Sequence, residues 1–340
     1  MQRQAKLKAA CTLAVISGAL LTTACTSGTN NTASSGSTEA VKGNLDAAGG
    51  TFPANIYIRW FKELQPEGIN VNYQAVGSGA GIRQFTAQTV DFGASDAPMT
   101  KEQTEKVERG VIQIPMTAGG IAVAYNNADC ELKLSQDQLA GIFLGKIKNY
   151  KELGCNDKPI SVVHRSDGSG TTFNFTKHLS AISKDWENGP GTGKSVSWPT
   201  GVGAKGNEGV SAQVNQIDGG LGYVEMAYVK NKLKAASLQN ASGEFVKPTN
   251  ETESEALGSI DLGPELIGGN PNPAKGYPIV TFTWVLAYEK GNGEKTALLK
   301  KVFNHMLSEK AQAMAPELSY VSLPPSVIAK SKAAVDRISQ

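Results

Sequence analysis

Apolar positions along the chain fall into two periods. Over residues 55–64 they recur at Ile56, Trp60 and Leu64, one helical turn apart, which predicts an amphipathic helix with Pro53 near its first position. Residues 71–76 have a short strand-like pattern. Residues 121–125, 160–163, 221–224 and 279–286 are apolar runs bounded by Gly, Pro or polar residues, the mark of buried strands. Thr100-Lys101-Glu102-Gln103 has the form of a capping box opening a charged helix, and that run of charge reads as a solvated face rather than a site. Strands alternating with helices predict an α/β fold with largely parallel sheets. No period of about 20–50 residues repeats, which argues against a solenoid. Glycine and proline gather at 188–209 and 263–278, predicting long surface loops.

The amino terminus departs from this pattern. Arg3, Lys6 and Lys8 precede an apolar stretch over 9–21, and no acid occurs before Glu39, so residues 1–24 read as an export signal. The stretch is too short, and too soon followed by polar residues, to span a bilayer. It ends Leu21-Thr22-Thr23-Ala24-Cys25, which resembles a bacterial lipoprotein cleavage box with Thr22 where Leu or Val is more usual. Lipidation of Cys25 is the favoured reading; ordinary cleavage nearby, leaving Cys25 a free thiol, is the other. Residues 25–43 are small and polar and read as a flexible tether. The expected location is periplasmic, with membrane contact only through that anchor.

Composition narrows the chemistry. A chain of 340 residues is long enough for two lobes with their own cores. Its 33 Lys and Arg against 31 Asp and Glu, without a basic block, exclude a nucleic-acid binder that works by neutralising phosphates. Loss of residues 1–24 leaves 30 basic side chains against the same 31 acids, so any anion has to be held by local groups. Cys11 leaves with the signal and Cys25 is the lipid acceptor, which leaves Cys130 and Cys155. In an oxidising compartment these predict a disulfide over two free thiols. There is no C-x-x-C, and His164, His178 and His305 are scattered, so no metal site and no cofactor is expected.

Three segments share one form, a turn of small residues followed by a helical pattern: Gly49-Gly50-Thr51-Phe52-Pro53, Gly77-Ser78-Gly79-Ala80-Gly81 and Arg165-Ser166-Asp167-Gly168-Ser169-Gly170-Thr171. After the third, Phe175, Leu179 and Ile182 continue at helical spacing, which puts the turn at a helix N-terminus. Free N–H groups and the positive dipole end favour an anion there. Glycine lets the backbone approach a ligand, and Ser and Thr add hydroxyls. One such turn is weak evidence; three with an arginine nearby point to an oxyanion pocket. Neither nucleotide fingerprint is met. Gly77–Ile82 lacks the third glycine of G-x-G-x-x-G, and Gly191-Thr192-Gly193-Lys194-Ser195 has Asn188 where a P-loop needs its leading glycine.

The strings G-G-T-F-P-A (49–54), V-D-F-G-A-S-D-A-P (90–98), R-S-D-G-S-G-T (165–171), W-P-T-G-V-G-A-K-G-N-E-G-V (198–210) and G-Y-V-E (222–225) resemble, in order and spacing, the phosphate-binding proteins of bacterial phosphate ABC importers. The match spans roughly residues 46–325. It implies a two-lobed periplasmic binding protein of type II, each lobe a mixed, largely parallel sheet flanked by helices, with the ligand in the cleft. Residues 44–120 with 282–340 would form one lobe and 121–281 the other. The resemblance implies that Thr51, Phe52 (through its N–H) and Ser78 donate to phosphate from the first lobe. Arg165, Ser169, Gly170 and Thr171 would do so from the second. Asp167 would hold the fork of Arg165. Gly79 and Ala80 stand where some relatives carry Ser and Gly. His164 replaces an arginine seen in some members and takes no ligand role.

Asp96 carries the selectivity argument. An ionised carboxylate only accepts hydrogen bonds, so beside a bound anion it tests for a proton, which phosphate retains near neutrality and sulfate lacks. A simpler reading has Asp96, ahead of Ala97-Pro98, capping a turn. The expected function is high-affinity binding of inorganic phosphate by a monomer and its delivery to the permease subunits of an importer, without catalysis. The alternatives are an exported phosphatase or phosphate-ester hydrolase, which would need an activated nucleophile or metal cluster, and a receptor for a related oxyanion.

Overall fold

The computed structural model describes residues 41–340, and the export signal, Cys25 and nearly all of the tether lie outside them. The chain enters β1 (Gly43–Gly49) at the last residue of the stretch read as tether. Helix α1 (Ala54–Leu64) follows the predicted spacing, burying Ile56, Trp60 and Leu64 together with Tyr57 and Phe61 while Ile58, Arg59 and Lys62 face solvent. Then come β2 (Ile69–Ala75), α2 (Ser78–Thr86), β3 (Phe92–Ser95) and α3 (Lys101–Thr104), whose Thr100–Gln103 capping box is complete in both directions. The 15-residue strand β4 (Val111–Tyr125) leads into β5 (Lys133–Leu134), α4 (Gln136–Phe143), β6 (Ser161–Arg165), α5 (Gly170–Ile182) and α6 (Lys184–Asn188). Next are β7 (Val202–Ala204), α7 (Gly206–Gln216), β8 (Gly220–Glu225), β9 (Lys234–Ala235), β10 (Ser237–Gln239), β11 (Phe245–Val246) and α8 (Asn250–Leu257). The chain closes with β12 (Val280–Tyr288), α9 (Lys295–Met306), α10 (Glu309–Ala313) and α11 (Pro325–Asp336). No helix among the described residues is long and apolar enough to cross a membrane.

The main sheet runs β2-β1-β3-β12-β4-β8-β6-β7, with β9 also on β4. It is parallel at its two ends, where β1 pairs β2 and β3 and where β6 pairs β7 and β8. Through the middle it is antiparallel, because β12 and β4 run against their neighbours. The sheet is therefore mixed rather than largely parallel. Local sequence pattern marks a buried strand but does not reveal its direction.

Strand β4 is three times the length of the apolar run that announces it. Its earlier part pairs β12 as far as Gly120, and from Ile121 it pairs β8. The pattern is hidden by Pro115 and by Gly119-Gly120. Pro115 is accommodated at a bulge, where Trp284 pairs Pro115 and Thr283 pairs Thr117, leaving Met116 as the extra residue. At Gly120, where the partner changes, a Cβ would run into the Glu253 carboxyl. The N–H of Gly120 instead donates to Glu253 Oε2 at 2.9 Å.

Glu253 itself is buried, and burial pushes its carboxyl up to about 8 against the opposing Gly120 hydrogen bond. The folded chain thus holds a proton that the unfolded chain releases near pH 4.5. The stability tied to that proton is complete below the unfolded value and is lost as pH rises through about 8. Glu253→Gln, which imitates the protonated acid, should flatten this loss, by a few kcal/mol between about pH 6 and pH 9. Denaturant melts of both proteins across that range would check it; parallel curves would show that Glu253 does not hold the proton.

Cys130 and Cys155 are bonded, with Cα atoms 5.5 Å apart, tying the chain leaving β4 to the turn before β6. Trp60 and Trp284 anchor the large core, their indole N–H groups donating to Ala311 O and Leu266 O, each at 2.8 Å.

Candidate functional site

All three glycine turns end in helix N-termini that converge on one buried point. Gly77, at φ 87°, turns β2 into α2, a conformation that an L side chain resists. Ser169 precedes α5 in extended conformation, and its Oγ accepts from the Thr172 N–H at 3.0 Å, which leaves the hydroxyl hydrogen free to donate. The N–H groups of Gly170 and Thr171 open that helix and have no preceding turn to bond. Thr51 and Phe52 lie between β1 and α1, with their carbonyls held by Tyr228 (2.6 Å) and Tyr320 (2.7 Å).

The resulting cluster is deeply buried. Thr51, Phe52, Ser78, Asp96, Arg165, Ser169 and Thr171 are each no more than 4% exposed, unusual for so many polar groups in one place. Distances bring the two ends of the sheet together across it. A Cβ on Gly170 would lie 2.5 Å from Ser78 Oγ and 2.7 Å from the Asp96 side chain, and one on Gly50 would lie 2.8 Å from Asp96 Oδ1. The Gly79 N–H donates to Gly168 O at 2.8 Å, and Asn174 Nδ2 donates to Asp96 O at 2.6 Å. The residues singled out from the sequence are therefore neighbours, although they come from segments more than a hundred positions apart.

Arg165 is held in place by Asp167. Its Nε and Nη2 donate to the two carboxylate oxygens of Asp167 at 2.7 and 2.5 Å, leaving Nη1 toward Thr171 Oγ1 at 3.5 Å. Burial would raise the Asp167 carboxyl, but the guanidinium and the Gly206 N–H outweigh it and hold it below its ordinary value. Asp167 cancels the charge of Arg165, and Asp96 adds a negative one. Side-chain charge alone does not favour an anion here; the attraction rests on N–H groups, hydroxyls and helix ends.

Asp96 follows β3 at the centre of the cluster. Its Oδ1 accepts from Thr283 Oγ1 at 2.9 Å and its Oδ2 from Ser78 Oγ at 3.3 Å. Burial pushes the carboxyl up to about 6, opposed by the Thr283 hydrogen bond, Arg165 and Ser78. At pH 7 it is mostly ionised and accepts only. The neighbouring β12–β4 bulge falls between Thr283 and Trp284, beside the hydroxyl that reaches Asp96.

Several contributors carried no role in the sequence reading. Thr283 sits in a strand that reads simply as apolar. Asn207 and Glu225 belong to strings that resemble the family, yet nothing local distinguishes them from their neighbours. Asn174 is one polar residue on a helix. His164 stacks on Trp198 with ring centres 4.8 Å apart. The P-loop-like segment packs on α5, with Lys194 O accepting from the Ser169 N–H at 2.9 Å.

Comparison with known proteins agrees with this geometry. A family profile described as a PBP superfamily domain matches residues 32–310. The chain is 42% identical over 307 residues to the phosphate-binding protein PstS of Haemophilus influenzae, covering 85% of this chain and 91% of that one. It is 36% identical over 344 residues to PstS of Methanocaldococcus jannaschii, covering 87% and 86%. Among solved structures, a high affinity periplasmic phosphate-binding protein, PfluDING, bound with phosphate, superposes with a TM-score of 0.74 at 22% identity, over 86% of this chain and 93% of that one. The convergence of glycine turns on a buried carboxylate, the mixed sheet that β4 and β12 thread, and these sequence relationships together place the chain in the PBP superfamily and, within it, in the PstS family.

Proposed function

We propose that this protein binds inorganic phosphate at the cluster around Asp96 and delivers it to the permease of a phosphate ABC importer. The observation that carries the reading is an acceptor-only carboxylate, steadied by the Ser78 and Thr283 hydroxyls, set among donors: Arg165, the Thr51, Ser169 and Thr171 hydroxyls, and the N–H groups of Phe52, Gly170 and Thr171. Such a site favours an oxyanion that still carries one hydrogen. In this reading residues 44–120 with 282–340 and residues 121–281 are two lobes. They part about the Gly119-Gly120 stretch of β4 and the adjoining β12, and the contacts between Gly79 and Gly168 and between Asn174 and Asp96 belong to the closed form. Export by residues 1–24, anchorage through Cys25 and action as a monomer complete it.

Binding fits the cluster better than ester hydrolysis. Ser78 faces Asp96 and Ser169 caps α5, whereas the three histidines are engaged elsewhere: His164 on Trp198, His178 on Pro271 O at 2.7 Å, and His305 near Glu63. Neither serine therefore has a histidine to activate it as a nucleophile. Small-angle scattering of residues 26–340, stripped of phosphate and then titrated with it, should show compaction at one equivalent, and a chromogenic phosphate ester should remain intact. Turnover of the ester, or scattering that phosphate leaves unchanged, would contradict the proposal.

A further inference from the structure

Asn207 is fully buried at the start of α7 and makes four polar contacts. Its N–H donates to Thr51 Oγ1 at 3.1 Å, and its Nδ2 donates to Thr51 Oγ1 at 2.9 Å and to Thr171 Oγ1 at 3.2 Å. Its Oδ1 accepts from the Glu225 N–H at 3.0 Å. That last contact fixes the amide orientation. A backbone N–H can only donate, so oxygen faces Glu225 and the hydrogens face the two threonines.

A threonine hydroxyl has two lone pairs and one hydrogen. Thr51 Oγ1 receives two hydrogens from Asn207, so both lone pairs are engaged. Thr171 Oγ1 receives one from Asn207 and a longer one from Arg165 Nη1. Each hydroxyl is left with its own hydrogen to give, and among the described residues neither gives it to a protein acceptor. An anion supplies acceptors only. We propose that Asn207 is a positioning residue that sets the hydrogen-bond polarity of the site, holding Thr51 and Thr171 as donors toward the bound oxyanion. It does this for one threonine from each lobe at once, so the polarity is complete only in the closed form. The inference rests on the phosphate reading above and deepens it.

The test is a pair of double-mutant cycles read by calorimetric titration with inorganic phosphate, combining Asn207→Ala with Thr51→Val and, separately, with Thr171→Val. Asn207→Ala should weaken binding roughly tenfold in the parent, in line with a disturbed pair of buried hydrogen bonds. In each valine background the same substitution should cost at least about threefold less, because one hydroxyl that it orients is gone. Equal losses in all backgrounds, or no loss in the parent, would overturn the assignment and leave Asn207 as packing alone. If Asn207→Ala does not fold, Asn207→Asp takes its place, keeping the shape and the Glu225 contact while exchanging the donor for an acceptor. A parent that fails to bind phosphate would overturn the functional reading and this inference with it; a parent that binds, with additive cycles, overturns this inference only.

Discussion

Asp96→Asn should admit sulfate at pH 8 roughly tenfold to 150-fold better than the parent. That is the range for one charge-assisted hydrogen bond, about 1.5–3 kcal/mol. In the parent at that pH, Asp96 is ionised and meets a sulfate oxygen lone pair to lone pair, whereas the asparagine amide can donate. The parent should also lose its selectivity in acid. As pH falls through about 6, Asp96 gains a proton and becomes a donor, so sulfate should compete with phosphate at pH 5 and not at pH 8, while the variant competes at both. Competition titrations at the two values would read this directly. Equal exclusion of sulfate by parent and variant would remove the proton test from the account.

The same residue links selectivity to stability. Its folded value, about 6, lies above its ordinary 3.8, so the folded protein without ligand binds the extra proton. The stability that this proton brings is complete below the ordinary value and is lost as pH rises through about 6. At neutral pH the ionised carboxylate is therefore a cost to the fold.

Gly170→Ala should weaken phosphate binding while sparing the fold. The added methyl would lie 2.5 Å from Ser78 Oγ and 2.7 Å from Asp96 Cβ and Oδ2, groups that the proposed two-lobe reading assigns to the other lobe. Gly170 begins an ordinary helix and does not have positive φ, so alanine is acceptable within its own lobe. In the proposed reading the clash therefore acts on closure. Overpacking of this kind costs about 1–3 kcal/mol, which corresponds to roughly a five- to 150-fold rise in Kd. The melting temperature of the ligand-free protein should stay within a degree or so of the parent's, and the phosphate-induced compaction in scattering should shrink. A variant that binds as tightly as the parent would show that these lobes need not approach so closely.

How much of this could be read from the chain follows from the range over which each signal acts. Elements set by neighbours in sequence were legible: the Ile56, Trp60 and Leu64 face of α1, the capping box at Thr100, and the glycine turns before α2 and α5. The Cys130–Cys155 bond followed from counting thiols in an oxidising compartment. Strand β4 was legible only from Ile121 onward, because Pro115 and the Gly119-Gly120 pair interrupt its pattern for reasons that lie in distant partners, namely a bulge against β12 and the carboxyl of Glu253. Sheet direction was lost in the same way, since β12 reaches β3 and β4 from far along the chain.

The site divides along the same line. Thr51, Ser78, Arg165, Asp167, Ser169, Gly170 and Thr171 announce themselves by turn chemistry and by resemblance to relatives. The groups that tune them do not. Thr283 reaches Asp96 across 187 positions and Asn207 reaches Thr51 across 156, and neither has a local signature. Sequence thus named residues that the fold brings together, while the hydrogen-bond directions that make them donors or acceptors emerge from the fold.

In the proposed reading an ionised Asp96 within a cage of donors selects a hydrogen-bearing oxyanion. Titration calorimetry on residues 26–340, stripped of phosphate and held at pH 8, tests it most directly, with phosphate added first and sulfate to a fresh sample. One phosphate site with Kd of about a micromolar or tighter, near −8 kcal/mol, and no heat from sulfate are expected. Comparable binding of both anions would contradict it, and so would a folded, fully stripped protein that takes up no phosphate.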